Sequence, residues 1–175
     1  MNRWIAIVTL CLLASPGQIR ADELRVPRKA ASEIEKDLSS ATKVELLSLY
    51  SGESDGPLSE EESKVRFHGY PVLGALDITN RPERAAIVHE LAKDIGRSPL
   101  KLMACFYPRH GIRARLPGGK TLGLVICFEC SSVDRYKGGK ILQLNIDDDK
   151  PQDLLNSILR KAGIRIGSSP RRPGT

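Results

Sequence analysis

The chain has 175 residues, with 27 Lys and Arg against 21 Asp and Glu, a net charge of +6 and only eight aromatic residues. A mild basic excess of this kind serves solubility, and so few aromatics argue against the stacking platforms of a nucleic-acid-binding face. By length it is one domain, large enough to build a core without disulfides.

Residues 1–21 have the layout of a secretory signal peptide. Arg3 supplies a positive start, Trp4 to Ala14 is almost wholly apolar, Ser15-Pro16-Gly17 breaks the run, and Ala21 offers a small residue before a cut. The apolar run is short for a membrane span, and export to the periplasm or beyond is expected, with an uncleaved anchor as the alternative. Leu10 is bulkier than a lipoprotein signal accepts before Cys11. Removing residues 1–21 takes away Arg3 and Arg20 and no acid, which leaves +4. No second long apolar stretch follows, so no stable membrane span is expected in the mature chain.

Residues 22–40 read as a loosely ordered N-terminal segment, with at most a short helix over Glu33 to Leu38. Lys43 to Tyr50 reads as a strand, Ser51 to Pro57 as a loop, and Glu60-Glu61-Glu62 as a solvated acidic run. Val65 and Phe67 begin a second extended segment that continues through Val72, Leu73, Leu76 and Ile78, interrupted at Gly69 and Pro71. Pro82 opens a helix in which Ala85, Ala86, Val88, Leu91, Ala92 and Ile95 recur at helical spacing, with Gly96 as the stop. His89 lies at the border of that stripe and reads as a boundary residue.

From Lys101 the pattern turns to β. Strands are expected at Leu100 to Phe106, Ile112 to Leu116, Thr121 to Phe128, Ser132 to Tyr136 and Ile141 to Ile146, with turns at Pro117-Gly118-Gly119 and Lys137-Gly138-Gly139. Pro151 opens a last helix carrying Leu154, Leu155, Ile158, Leu159 and Ala162, capped by Gly163. The fold class that follows is α+β, an antiparallel sheet with a meander at residues 100–146 and two helices packed on one face. Residues 41–166 form the single domain, and residues 167–175 have the composition of a disordered tail.

The chemistry-bearing residues gather in one stretch, with Cys105, Arg109 and His110 followed by Cys127 and Cys130. If Pro108-Arg109 is a two-residue hairpin loop and Leu116 opposes Thr121, then Ile112 meets Val125 and His110 meets Cys127. Cys105, His110 and Cys127 would then share one face, and Cys130 would join them if the strand ended after Phe128. A one-residue slip would scatter the group. Three thiolates and one imidazole would suit a structural zinc ion held by Cys105, His110, Cys127 and Cys130. Equally, two of the three cysteines could bridge and leave an odd thiol, or all could be buried as small hydrophobes. A redox pair at Cys127-Phe-Glu-Cys130 lacks the helix start that activates such motifs. Arg109 and Arg113 are candidate holders of a carboxylate or phosphate ligand, or else partners of Glu129 and sheet-covering side chains. Asn145, Asp147 and Asp149 alternate as in a calcium loop but lack its Gly and distal Glu.

The elements Cys105-Phe-Tyr-Pro-Arg-His110 and Cys127-Phe-Glu-Cys130 resemble a pattern found together in an uncharacterised family of small exported bacterial proteins. The resemblance covers roughly residues 64–165 and implies one recurring module, without implying an activity. No nucleophile–base–orienter arrangement is recognisable in the sequence. The expectation is therefore a non-catalytic exported module, binding a partner such as an envelope protein and stabilised by its Cys/His cluster. The alternative is a zinc-binding or thiol-dependent enzyme using the same four residues.

Overall fold

A computed structural model describes residues 24–52, 56–102 and 104–168. The expected signal peptide lies outside the described residues, as does most of the expected tail. Four helices and seven strands follow in the order α1 (Arg25–Ser40), β1 (Lys43–Leu49), α2 (Glu60–Lys64), β2 (Arg66–Phe67), β3 (Tyr70–Asp77), α3 (Arg81–Ile95), β4 (His110–Arg115), β5 (Thr121–Cys127), β6 (Ser132–Lys137), β7 (Lys140–Asn145) and α4 (Lys150–Lys161). The strands make one antiparallel sheet in the order β2-β3-β1-β4-β5-β6-β7, curled into a half-barrel. The α+β class is as the sequence indicates.

Strand alternation gives the sheet two unlike faces. Val44, Leu46, Ile112, Ala114, Leu122, Leu124, Ile126, Val133 and Leu144 point outward and pack with α1, α3 and α4 into one aliphatic core. Leu47, Leu49 and Val125 point inward, where Phe67, Val72, Tyr70, Phe106 and Tyr136 cover them.

The segment expected to be loose is a sixteen-residue helix. Its buried residues Pro27, Ala30, Ala31, Ile34 and Leu38 recur every three or four positions. Three of the five are proline or alanine, which made the apolar stripe hard to see among the charges. Ile34 and Leu38 are fully buried, each contributing about 2 kcal/mol by the area it removes from water. The last carbonyls of α1 are answered from α3, since Arg84 donates from Nη2 to Ala41 O at 2.7 Å and from Nε to Leu38 O at 2.9 Å. A helix end is left with unpaired carbonyls unless something supplies donors, and here a guanidinium does.

Two further differences concern the expected strand at residues 100–106 and the acidic run at Glu60. Among the described residues, 100–102 and 104–106 form no strand. The place beside β4 is taken by β1, which arrives from the other end of the domain and pairs from Lys43↔Arg115 to Ser48↔His110. Residues 104–109 instead run as a loop over the inner face, and before them Lys101 N donates to Asn145 Oδ1 at 2.7 Å. The acidic run at Glu60 forms the short helix α2, because Ser59 and Glu62 cap it reciprocally.

The interruption at Gly69 proves to be a hairpin. Phe67 pairs with Tyr70, and the two residues between them, His68 and Gly69, have φ of 49° and 93°. A two-residue turn of this hand matches the twist of the flanking strands, and histidine is among the side chains that tolerate it. The hairpin folds across the inner face. A Cβ on Gly111 would lie 3.0 Å from the Phe67 ring, and one on Gly123 would overlap His68 Nε2. Two glycines on neighbouring strands thus form the floor that admits two rings, and His68 stacks on Tyr136 of β6 with centroids 3.6 Å apart.

Candidate functional site

The β4–β5 register decides how the cysteine cluster is built. Arg115 pairs with Thr121, Ile112 with Leu124 and His110 with Ile126. The expected register is therefore displaced by one residue. The cause is the connection: Leu116 N donates to Lys120 O at 2.8 Å, which closes a loop around the 3-10 turn Pro117–Gly119 instead of letting Leu116 oppose Thr121. With a period of two, the slip sends His110 to the helix-covered face and Cys127 to the inner face.

The four residues expected to converge are thus divided. Cys105 and Cys130 form a disulfide, with Cα atoms 5.9 Å apart, which ties the inner-face loop to the turn between β5 and β6. Cys127 is a buried free thiol. Its Sγ accepts a hydrogen bond from Tyr107 N at 3.3 Å and another from Cys130 N. Burial nonetheless pushes the thiol above its ordinary pKa, so the nucleophilic thiolate is disfavoured at neutral pH. Cys127 and Cys130 flank a turn between two strands, not a helix start.

His110 has no access to solvent. Its Nε2 lies 2.9 Å from Asn156 Oδ1 on α4, and the Phe128 ring meets it edge-on at 5.3 Å. Burial is the main cause that pushes its pKa down to about 4, with Asn156 opposing and Arg109 assisting. The imidazole is therefore neutral at pH 7, donating through Nε2 to the Asn156 carbonyl. Its Nδ1 has no partner among the described residues. Because His110 and Cys127 face opposite sides of the sheet, the imidazole cannot serve that thiol as a base. Among the described residues no group of three or more His, Cys, Asp or Glu is gathered as a metal ion requires.

Arg109 pairs with Glu129, the alternative considered from the sequence. Its Nη1 also donates to Gly167 O at 3.2 Å. At 12% side-chain exposure it clamps the loop, the β5–β6 turn and the segment after α4. Arg113 faces inward and donates to Glu45 Oε2 at 2.5 Å, which raises the guanidinium pKa further. It remains 40% exposed and lines a groove of about 440 Å3 with Arg66, His68, Gly123, Tyr136, Lys140 and Ile141. Asn145, Asp147 and Asp149 make no calcium loop. Asn145 is spent on Lys101 N and on Ser131 O, and Asp147 pairs with Lys101 at 3.3 Å.

Sequence reading missed the inner-face groups around His68. Burial holds the His68 imidazole below its ordinary pKa and holds the Tyr136 phenol and the Asp134 carboxyl above theirs. The signal was present in His68-Gly69, a dipeptide suited to a two-residue hairpin turn, followed by Gly111 and Gly123 on neighbouring strands. Its meaning depends on sheet curl, which local sequence does not record. Among the described residues no helix is long and apolar enough to cross a membrane. Comparison with family models, with curated proteins and with solved structures returned no match to this chain.

Proposed function

We propose that this protein is an exported, non-catalytic binding module associated with the cell envelope, akin to the small exported proteins that share its Cys-x-x-Pro-Arg-His and Cys-Phe-x-Cys elements. One observation carries the reading: the reactive residue types near the motif are committed to architecture. Cys105 and Cys130 close a bridge, Cys127 is a buried thiol, His110 is a neutral core residue, and Arg109 is a clamp. A bridge also suits an oxidising compartment, in keeping with the signal-peptide layout of the sequence at residues 1–21. The bridge spans a sequence separation of 25 residues, a loop for which the chain-entropy account gives about 3.5 kcal/mol.

The test uses the full-length chain expressed with its own N-terminus. Cell fractionation and intact mass are expected to find a mature protein starting near Asp22 and two hydrogens lighter than its fully reduced form. One thiol should react only after denaturation. Paired Cys105→Ser and Cys130→Ser substitutions are expected to lower stability by about 3 kcal/mol. About one equivalent of zinc on tag-free protein, lost in His110→Ala, overturns the reading and establishes the metal-dependent alternative.

A further inference from the structure

Among the described residues the sheet ends on one side at β7, which pairs with β6 alone. The β6–β7 connection is a two-residue hairpin in which Lys137 opposes Lys140. Residues flanking such a turn form the hydrogen-bonded pair, and the pattern alternates from there. Lys140, Leu142 and Leu144 therefore bond to β6, while the backbone N–H and C=O of Ile141 and Gln143 point away from the sheet. At 64% exposure Ile141 is unusually bare for an isoleucine in a strand.

Both flanks of this edge are hollow. On the inner side lies the groove of about 440 Å3 lined by Arg66, Arg113, Tyr136, Lys137, Lys140 and Ile141. On the outer side, between α1 and the sheet, a second groove of about 610 Å3 is lined by Arg25, Val26, Lys29, Glu33, Arg135 and Leu142. A strand added beside β7 would send alternate side chains into one groove and then the other. The charges are one-sided, with Glu33 the only carboxylate among the described residues that line either groove. Arg113, Lys137 and Arg135 already pair with Glu45, Asp37 and Glu33. Arg66 and Lys140 on one flank, and Arg25 and Lys29 on the other, have no carboxylate partner among the described residues.

We infer that the β7 edge, with its two cationic grooves, is the docking site of an acidic, extended polypeptide segment of a partner protein, which adds as an eighth strand. This rests on the reading of the protein as a binding module and names its surface and its partner's chemistry. Lysine on an edge strand normally guards against indiscriminate pairing. Here that guard becomes selectivity, because the lysine repels a basic strand and attracts an acidic one. A second copy of this chain would bring the same cations to the same edge.

The test measures binding of fluorescein-labelled eight-residue peptides to the bridged protein at low salt. One repeats Val-Val-Glu-Glu, which puts both residue types on each face, and the other repeats Val-Val-Lys-Lys. The acidic peptide is expected to bind at least tenfold more tightly. Gln143→Pro removes an outward N–H at an edge position that tolerates proline; it should weaken binding at least tenfold with an unchanged circular dichroism spectrum. Lys140→Glu combined with Arg25→Glu, which leaves the backbone alone, should reverse the peptide preference. Equal affinity for both peptides in the wild type, or undiminished binding by folded Gln143→Pro, overturns the inference. So does sedimentation showing a dimer that Gln143→Pro dissolves, which would make a second copy the occupant. These failures leave the bridge and export untouched, whereas zinc or turnover would overturn the underlying reading instead.

Discussion

The two faces of the sheet are built from the same strands by different means. The outer face is held by many interchangeable aliphatic contacts, with Leu122, Leu124 and Ile126 fully buried under the helices. The inner face depends on a few contacts that admit no substitute: a ring over Gly123, a ring over Gly111, one bridge and one guanidinium clamp. The first arrangement spreads its stability over the whole core. The second concentrates it, so that single changes should release one part without unfolding the rest.

Neighbouring residues on β5 make the sharpest trial of that contrast. Leu124→Ala removes a fully buried side chain from the aliphatic core, and a loss of about 4 kcal/mol is expected. Urea unfolding should shift as one transition, with all amides of the sheet losing hydrogen-exchange protection together.

His110 belongs to the outer face and brings a pH dependence to it. Its folded pKa is depressed, to about 4 from an ordinary value of about 6.5. The unfolded state therefore takes up a proton first as the solution is acidified. The stabilisation is fully present above pH 6.5 and is lost as pH falls toward 4, on the order of 3 kcal/mol in all. Chemical denaturation between pH 7 and pH 5 should show this slope in the wild type and a shallower one in His110→Gln. Equal slopes would mean that the imidazole takes up its proton at the same pH in the folded and unfolded states.

Gly123→Ala is expected to cost less, about 2 kcal/mol, because the His68 ring must give way. Its effect should be local. Exchange should accelerate in β2 and β3 and the Tyr136 ring resonances should shift, while Leu124 and its neighbours stay protected. Global unfolding by this one methyl group would erase the distinction between the faces. The smallest effect is expected at Arg113→Gln, where a partly exposed ion pair with Glu45 is worth about 0.5 kcal/mol or less once solvent screening is counted. Thermal melts at low and high salt would show it.

These faces also mark where sequence was and was not enough. The helices at Pro82 and Pro151, and the paired strands around Gly118 and Gly138, carry their own punctuation and periodicity, so local rules suffice. What escaped is non-local. The pairing of β1 with β4 joins residues about seventy positions apart, and it displaced the strand expected at residues 100–106. For the candidate site the cost was larger, since one extra residue in the loop after Arg115 moved His110 and Cys127 to opposite faces. Helix α1 was obscured for a different reason. Alanine makes a good helix and a good close contact, but it barely registers as apolar among lysines and glutamates.

The bridge also bears on how the chain matures. For a protein exported as proposed, Cys105 is the first thiol to emerge once the leader is removed, and Cys127 is the next. The native partner, Cys130, comes last. Vectorial oxidation of thiols in order of appearance would join Cys105 to the wrong sulfur, so correct maturation calls for proofreading by a disulfide isomerase and not for an oxidase alone.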